Sequence, residues 1–305
     1  MENPLYFPRM AKYKYKLRQV QENRAQSKFA KKDLGQNFLN DPILRDKIID
    51  LAGYIKGKEI LEVGPGLGFL TEEILKRGAN LTAVELDERS VEILNKKFAR
   101  STGLGQAGFS NFNLIQGSIL DQDLDQIFAQ KKYSVIANIP YNITAPILRK
   151  LFAETKNKAE MAILMVQKEV AEKISRKKAG KDKVIKGRSI LSISVEVFAD
   201  AENCFVVNRE MFSPAPRVDS AIILLKSREK SLVSPDLEKD FFTIVRAGFA
   251  EKRKKLSNHL GKFFGCNSSD LLGKVDGDKR AEVLEIDDWL EITKNFQKIS
   301  RDWRK

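Results

Sequence analysis

The tetrapeptide Asn138-Ile139-Pro140-Tyr141 begins 70 residues after the close of Gly64-Pro65-Gly66-Leu67-Gly68, and the two segments carry complementary chemistry. Asn138 offers a side-chain carbonyl acceptor, Pro140 fixes its own φ and biases Ile139 toward extended geometry, and Tyr141 supplies a flat face for stacking. These properties suit the grip of a flat ring through an exocyclic amino group. The lone pair of an adenine-type amine is delocalised, so its nitrogen attacks only when acceptors draw on its hydrogens and let it pyramidalise. The Asn138 side-chain oxygen and the Ile139 carbonyl are candidates for those acceptors. The plainer alternative is an Asn-x-Pro loop that merely ends a strand.

The glycines of Gly64 to Gly68 permit a tight turn and close approach of a ligand to the backbone before a helix N-terminus. Their spacing is Gly-x-Gly-x-Gly, not the Gly-x-Gly-x-x-Gly preferred for a pyrophosphate, and Glu62 just upstream would oppose a diphosphate but suit a cation. Glu85 lies 21 residues beyond Gly64, at the end of the next expected strand, where a carboxylate can accept both ribose hydroxyls. Loop and acid together favour S-adenosylmethionine; a dinucleotide or a structural turn remain the alternatives. With that donor, holding the amine in line with a sulfonium methyl would supply most of the rate without a strong base. Tyr141 and Phe212 are candidates to sandwich the base, since stacking contributes ~1–3 kcal/mol per base. Each could instead be ordinary core, although Pro214 and Pro216 beside Phe212 favour a rigid loop.

The elements that must position these residues alternate. The sequence predicts a helix over Ile43 to Tyr54 after an Asp41-Pro42 start signal, a strand over Lys58 to Val63, a helix over Phe69 to Arg77 and a strand over Asn80 to Leu86. A helix from Ser90 to Arg100, a strand over Asn113 to Gln116 leading into Gly117-Ser118-Ile119, and a strand from Tyr133 that ends at Asn138 follow. Next come a helix after Pro146, a strand over Met161 to Val166, a helix carrying Gln167-Lys168-Glu169-Val170, and late strands over Ser192 to Phe198 and Ser220 to Leu225. Phe212 to Pro216 reads as a stiff turn, and from Leu237 only helical patterns appear. The fold class is therefore α/β: a doubly wound, Rossmann-like parallel sheet followed by a small C-terminal all-α domain.

The 305 residues carry 54 lysines and arginines against 41 acids, a net charge of +13, which points to phosphate backbones or anionic surfaces. Residues 1–32 hold nine basic and two acidic residues and read as a flexible basic arm, able to order on nucleic acid or to remain a solvated tail. Lys173 to Arg188 reads as a flexible basic loop. Lys252 to Lys255, with Arg246, reads as a cationic helix face backed by Val245, Phe249, Leu256 and Leu260, either a phosphate-contacting surface or a solvated one. The expected boundaries are a catalytic domain over 33–227 and a helical domain over 235–305. No apolar stretch suits a membrane span or a signal peptide, so the expected location is cytoplasmic. Two distant cysteines and one histidine argue against a disulfide framework, a metal site or a histidine-based catalytic centre.

These motifs resemble the ribosomal RNA adenine N6,N6-dimethyltransferases, in particular the small-subunit branch of the bacterial KsgA type, from about Lys32 to about residue 290. The similarity rests on Leu34-Gly35-Gln36-Asn37-Phe38-Leu39, Glu62 to Gly68, Glu85-Leu86-Asp87, Asn138 to Tyr141, Gln167 to Val170 and Phe212 to Ser220. It implies that Asn37 and Leu39 close over the methyl donor and that Gly64 approaches the donor's methionine part. Glu85 would hold the ribose and Asn138 would lie between donor and target. Glu62, Gly66, Leu86, Ser118 and Ile119 complete the implied donor site, and Pro140, Tyr141 and Phe212 the implied target site. The implied reaction dimethylates two adjacent adenosines in the 3′-terminal hairpin of small-subunit (16S) rRNA on a pre-30S assembly particle, with S-adenosylmethionine as cofactor and no metal; a monomer is expected. Alternatives are the large-subunit relatives of the macrolide-resistance type, a non-catalytic assembly factor, and a nicotinamide-dependent oxidoreductase, which the loop spacing disfavours. Gln167 to Val170 and Phe249 to Leu260 favour the small-subunit branch. In three places the chain departs from the family pattern: Ser118 stands where an aspartate is usual, Lys186-Gly187-Arg188 replaces a usual Tyr-Gly, and the basic arm is longer.

Overall fold

Strands with apolar residues on both faces belong in the middle of a covered parallel sheet. Ile60, Leu61 and Val63, Leu81, Ala83 and Val84, and Val135, Ile136 and Ala137 are all buried in this way. The structure is a computed structural model that describes residues 25–98, 108–175 and 187–302. Most of the basic arm over 1–32 and of the basic loop Lys173 to Arg188 lies outside the described residues.

The strands are β1 (Phe38–Leu39), β2 (Glu59–Val63), β3 (Asn80–Glu85), β4 (Phe112–Gln116), β5 (Tyr133–Asn138), β6 (Met161–Gln167), β7 (Ala199–Val207), β8 (Phe212–Ser213) and β9 (Ser220–Ser227). Seven of them form one sheet in the order β4-β3-β2-β5-β6-β9-β7. β4, β3, β2, β5 and β6 run parallel, with Val63 level with Val84, Glu85 with Gln116, and Asn138 with Met165. The fold is thus the expected Rossmann-like α/β sheet with helices. A parallel sheet delivers every strand's C-terminus to one edge, where open α/β sheets bind ligands. β1 and β8 pair antiparallel apart from it, Phe38 opposite Ser213 and Leu39 opposite Phe212.

Local signals set the helices. Asp41 caps the helix Pro42–Asp50, its Oδ1 accepting from the Leu44 amide at 3.0 Å, and Pro42 starts the first turn. The helix Phe69–Lys76 begins at Gly68, whose φ is +83° and whose missing Cβ leaves room for the Phe98 ring, 2.4 Å from where that atom would stand.

The chain divides into two compact units, Met1–Lys168 with Asn203–Leu224, and Glu169–Glu202 with Leu225–Lys305. In the second, the helices Pro235–Ala250 and Ile286–Asp302 pack against each other, with Trp289 fully buried and stacked on Phe249 at 6.0 Å. Two expectations need correcting here. Ser192 to Phe198, expected as a strand, lies in the helix Ile190–Phe198. A reciprocal cap starts it, the Ser192 amide donating to Ser189 Oγ at 3.2 Å and the Ser189 amide to Ser192 Oγ at 2.9 Å, and the strand begins only at Ala199. The second is the cationic helix face: the helix ends at Ala250, so Lys252 to Lys255 lie in the exposed turn after it, with Val245, Phe249, Leu256 and Leu260 buried beneath.

Candidate active site

Three neighbouring strand ends supply one cavity. β2 delivers Glu62 and the glycine loop, β3 delivers Glu85, and β5 delivers Asn138; the loop after β4 adds Gly117 to Leu120. Gly64, Gly66 and Gly68 take left-handed φ values of 64°, 58° and 83°, which turn the chain sharply from strand to helix. The cavity has a volume of about 250 Å³. Asn37, Leu39, Glu62, Gly64, Gly66, Glu85, Leu86, Ser118, Ile119, Asn138, Pro140 and Tyr141 all line it. Among the expected site residues Phe212 alone is off its wall: pairing with Leu39 carries that ring into the apolar core.

The walls bear the carboxyls of Asp33, Glu62 and Glu85 and, among the described residues that line the cavity, no lysine, arginine or histidine. Glu85 is buried and accepts the Gly66 amide at 2.9 Å through one oxygen and the Asp87 amide at 2.8 Å through the other. Burial raises its pKa, opposed by those amide donors and by the Leu86 amide, while the Asp87 charge adds to the rise. Glu62, also buried, accepts from Thr71 Oγ1 at 2.7 Å. A cation-free acidic wall beside apolar Leu86 and Ile119 fits a positively charged nucleoside and disfavours a diphosphate.

Asn138 donates through Nδ2 to the carbonyl of Asn37 at 3.0 Å, which leaves Oδ1 as the acceptor of the group. Asn37 in turn donates through its own Nδ2 to the Gly35 carbonyl at 3.0 Å. Ile139 is buried, and Pro140 starts a short turn in which half-buried Tyr141 shares a 2.7 Å hydrogen bond with Ser220 Oγ. Burial is the main cause that raises the pKa of the Tyr141 hydroxyl, so the ring is neutral.

Asn37 and Leu39, expected to close over the donor, are the end of a longer segment whose first part, residues 25–33, carries no motif. Residues 25–39 cross the cavity as a strap, with Gln26 and Asp33 to Leu39 on its wall. Asp87 holds the strap: it accepts from Gln36 Nε2 at 3.0 Å, pairs with Lys31 at 3.7 Å and takes two bonds from the Arg89 guanidinium. Arg89 also donates to the Phe29 carbonyl at 3.1 Å and lies over the Phe29 ring at 4.3 Å. Gln36 and Asp87 sit inside quoted motifs; Arg89, Phe29 and the Ser27 to Ser213 hydroxyl contact at 2.9 Å carry no local signal. Ser118 Oγ caps the turn Ile119–Asp121 by accepting from the Leu120 amide at 3.2 Å.

Residues 27–298 match the family model described as ribosomal RNA adenine dimethylase. The ribosomal RNA small subunit methyltransferase A of Fusobacterium nucleatum is 38% identical over 277 residues, covering 88% of this chain and 97% of that protein. The protein of the same name from Enterococcus faecalis is 34% identical over 282 residues, covering 88% and 90%. Among solved structures, a dimethyladenosine transferase from Plasmodium falciparum is 26% identical with a TM-score of 0.68, covering 86% of this chain and 98% of that one. The 23S rRNA methyltransferase ErmE is 23% identical with a TM-score of 0.64, covering 86% and 100%, and so shares the fold. With Glu62 to Leu67, Glu85 and Asn138 to Tyr141 gathered at one cavity and the match running over nearly the whole described chain, the protein belongs to the ribosomal RNA adenine dimethylase family.

Proposed function

We propose that this enzyme transfers methyl groups from S-adenosylmethionine to N6 of two adjacent adenosines in the 3′-terminal hairpin of small-subunit rRNA, two to each, acting as a cytoplasmic monomer on a pre-30S particle. Homologues named for the small subunit, at 34–38% identity over most of the chain, favour this branch over the large-subunit one. The observation that carries the reading is a carboxamide acceptor at the tip of β5 sharing one cavity with an acidic, cation-free wall.

When bound, the donor supplies an electrophilic methyl on a cationic sulfur. Glu85 holds the ribose, and the glycine loop allows the backbone to approach. Asn138 Oδ1 and the Ile139 carbonyl would accept the N6 hydrogens, two in the first transfer and the remaining one in the second, and so localise the lone pair for attack on the methyl carbon. For each transfer one N–C bond forms and one S–C bond breaks, and the surplus proton leaves the amine for solvent. Tyr141 stacks on the base, with Ser220 fixing the ring's tilt. Phe212, from behind, holds Leu39 and hence the strap in place. In this reading the arm over 1–32 and the helical domain over 235–305 dock on rRNA while 33–227 does the chemistry.

The test is incubation with labelled donor and immature small subunits from cells lacking the activity. Label is expected as N6,N6-dimethyladenosine in the 3′-terminal hairpin. Absence of label from every ribosomal fraction refutes the assignment.

A further inference from the structure

Glu62 and Glu85 stand at the ends of adjacent strands, yet their surroundings differ. Glu85 takes amide donors on both oxygens, from Gly66 and Asp87. Glu62 is 2% exposed and its carboxyl is held by one residue, fully buried Thr71, through its hydroxyl at 2.7 Å and its backbone amide. Among the described residues, no element around Glu62 brings it a cation. β3 contributes Glu85, the strap contributes Asp33 to the same cavity, and β5 contributes neutral Asn138. On the helix Phe69–Lys76, Glu72 pairs with Lys76, and Glu73 pairs with Arg45 and Arg77. Lys31 and Arg89 are engaged by Asp87, and Lys97 donates to the Leu67 carbonyl at 2.9 Å. A buried carboxyl beside another carboxyl, with only the neutral donors of one threonine and no counter-charge, is stable in its protonated form.

Resting on the donor assignment made above, we propose that Glu62 carries a proton in the free protein and releases it when the cationic donor enters. Donor binding and ionisation of this one carboxyl are then a single linked event. Burial, opposed by the Thr71 hydroxyl and reinforced by the Glu85 charge, pushes the carboxyl up to about 8. A ligand bringing positive charge into the cavity supplies the missing counter-charge and makes the carboxylate the stable form. The proton goes to solvent, so the free protein avoids the cost of two adjacent buried anions and the loaded protein gains an ion pair. By linkage, donor affinity rises with pH until the free-state carboxyl is itself ionised.

Calorimetric titration of the full chain with S-adenosylmethionine, in buffers of different ionisation enthalpy, reads this directly. At pH 7 roughly 0.9 of a proton should be released per donor bound, and the dissociation constant should tighten about tenfold between pH 6 and pH 7. Glu62→Gln keeps the shape and the Thr71 hydroxyl bond but cannot form the ion pair, so it should bind donor more weakly, without the tightening between pH 6 and pH 7 and with the release abolished, any residual release being the donor's own. Thr71→Val removes the bond that favours the carboxylate and should move the pH midpoint of binding upward. Buffer-independent heats in the unsubstituted protein, or equal proton release from Glu62→Gln, overturn the proposal. Absence of donor binding at every pH removes the donor assignment itself, and the proposal with it.

Discussion

Asn138 and Asn37, 101 positions apart in sequence, meet at 3.0 Å, the carboxamide N–H of the first donating to the backbone carbonyl of the second. The strap over the cavity therefore orients the acceptor at the tip of β5. An amide with its N–H committed on one side presents its oxygen on the other, without rotamer freedom to lose at the moment of reaction. Asn138→Ala should then lower kcat by roughly 10²–10³, the range for removing one preorganised polar group, with donor affinity changed little. Single-turnover transfer to small subunits, alongside calorimetry with donor, checks this; a variant within a few-fold of the parent would remove the role assigned to Asn138.

The strap depends on Asp87. The Arg89 guanidinium beside it, opposed by burial and helped by Gln36, holds its carboxyl down at about 2. A carboxyl depressed in the folded state contributes stability above its ordinary value near 3.8, and that contribution is lost as pH falls through about 2. Hydrogen-exchange protection of residues 25–39, taken relative to the intrinsic rate at each pH, should accordingly hold from neutral pH down to about 4 and fall as Asp87 protonates. In Arg89→Ala the loss of protection should come at higher pH, and protection should be lower even at neutrality. Equal exchange in the two proteins would show that the strap is held by its β1–β8 pairing alone.

Gly66 joins donor loop and strap. Its φ is +58°, its amide serves Glu85, and an added Cβ would stand 2.9 Å from Cε1 of Phe38. Gly66→Ala carries both a left-handed backbone cost of about 1–2 kcal/mol and a push on the strap. Gly53→Ala, at φ +65° with nothing within 4 Å, carries the first alone. Both variants should unfold at lower urea concentration, Gly66→Ala at least as early as Gly53→Ala, while donor affinity falls only in Gly66→Ala. Loss of affinity in both would trace the effect to global stability.

What the sequence makes legible is chemistry tied to strand ends. Glu62, Gly64, Glu85 and Asn138 could be placed because a parallel sheet brings all C-terminal ends to one edge, whatever the loops between them do. Phe212 could not, since its surroundings depend on Leu39 finding it from 173 positions away, and a phenylalanine near prolines is equally at home on a wall or behind one. The helix Ile190–Phe198 was hidden because β-branched residues weigh toward a strand, while the Ser189 and Ser192 cap lay at the edge of the run. Arg89 over Phe29 has no local pattern at all, because it exists only once the strap has crossed the sheet.

Ser118 sets the last prediction. Its hydroxyl accepts from the Leu120 amide at 3.2 Å and so caps a short turn, while the side chain also lines the cavity. An aspartate can make the same cap, since both residue types accept from the amide two positions on. It has a second carboxylate oxygen to spare, which at this wall could take an amino group of the donor's base. Ser118→Asp should therefore leave the turn intact and tighten S-adenosylmethionine binding by about tenfold, close to what one charge-assisted hydrogen bond contributes. The fourth carboxyl in an already acidic cavity works in the opposite sense for any ligand without a donor group there. Calorimetry with S-adenosylmethionine and with a deaminated analogue separates these effects: tightening is expected for the first and weakening for the second. Equal tightening for both would show that the added charge acts on the sulfonium and not on the base.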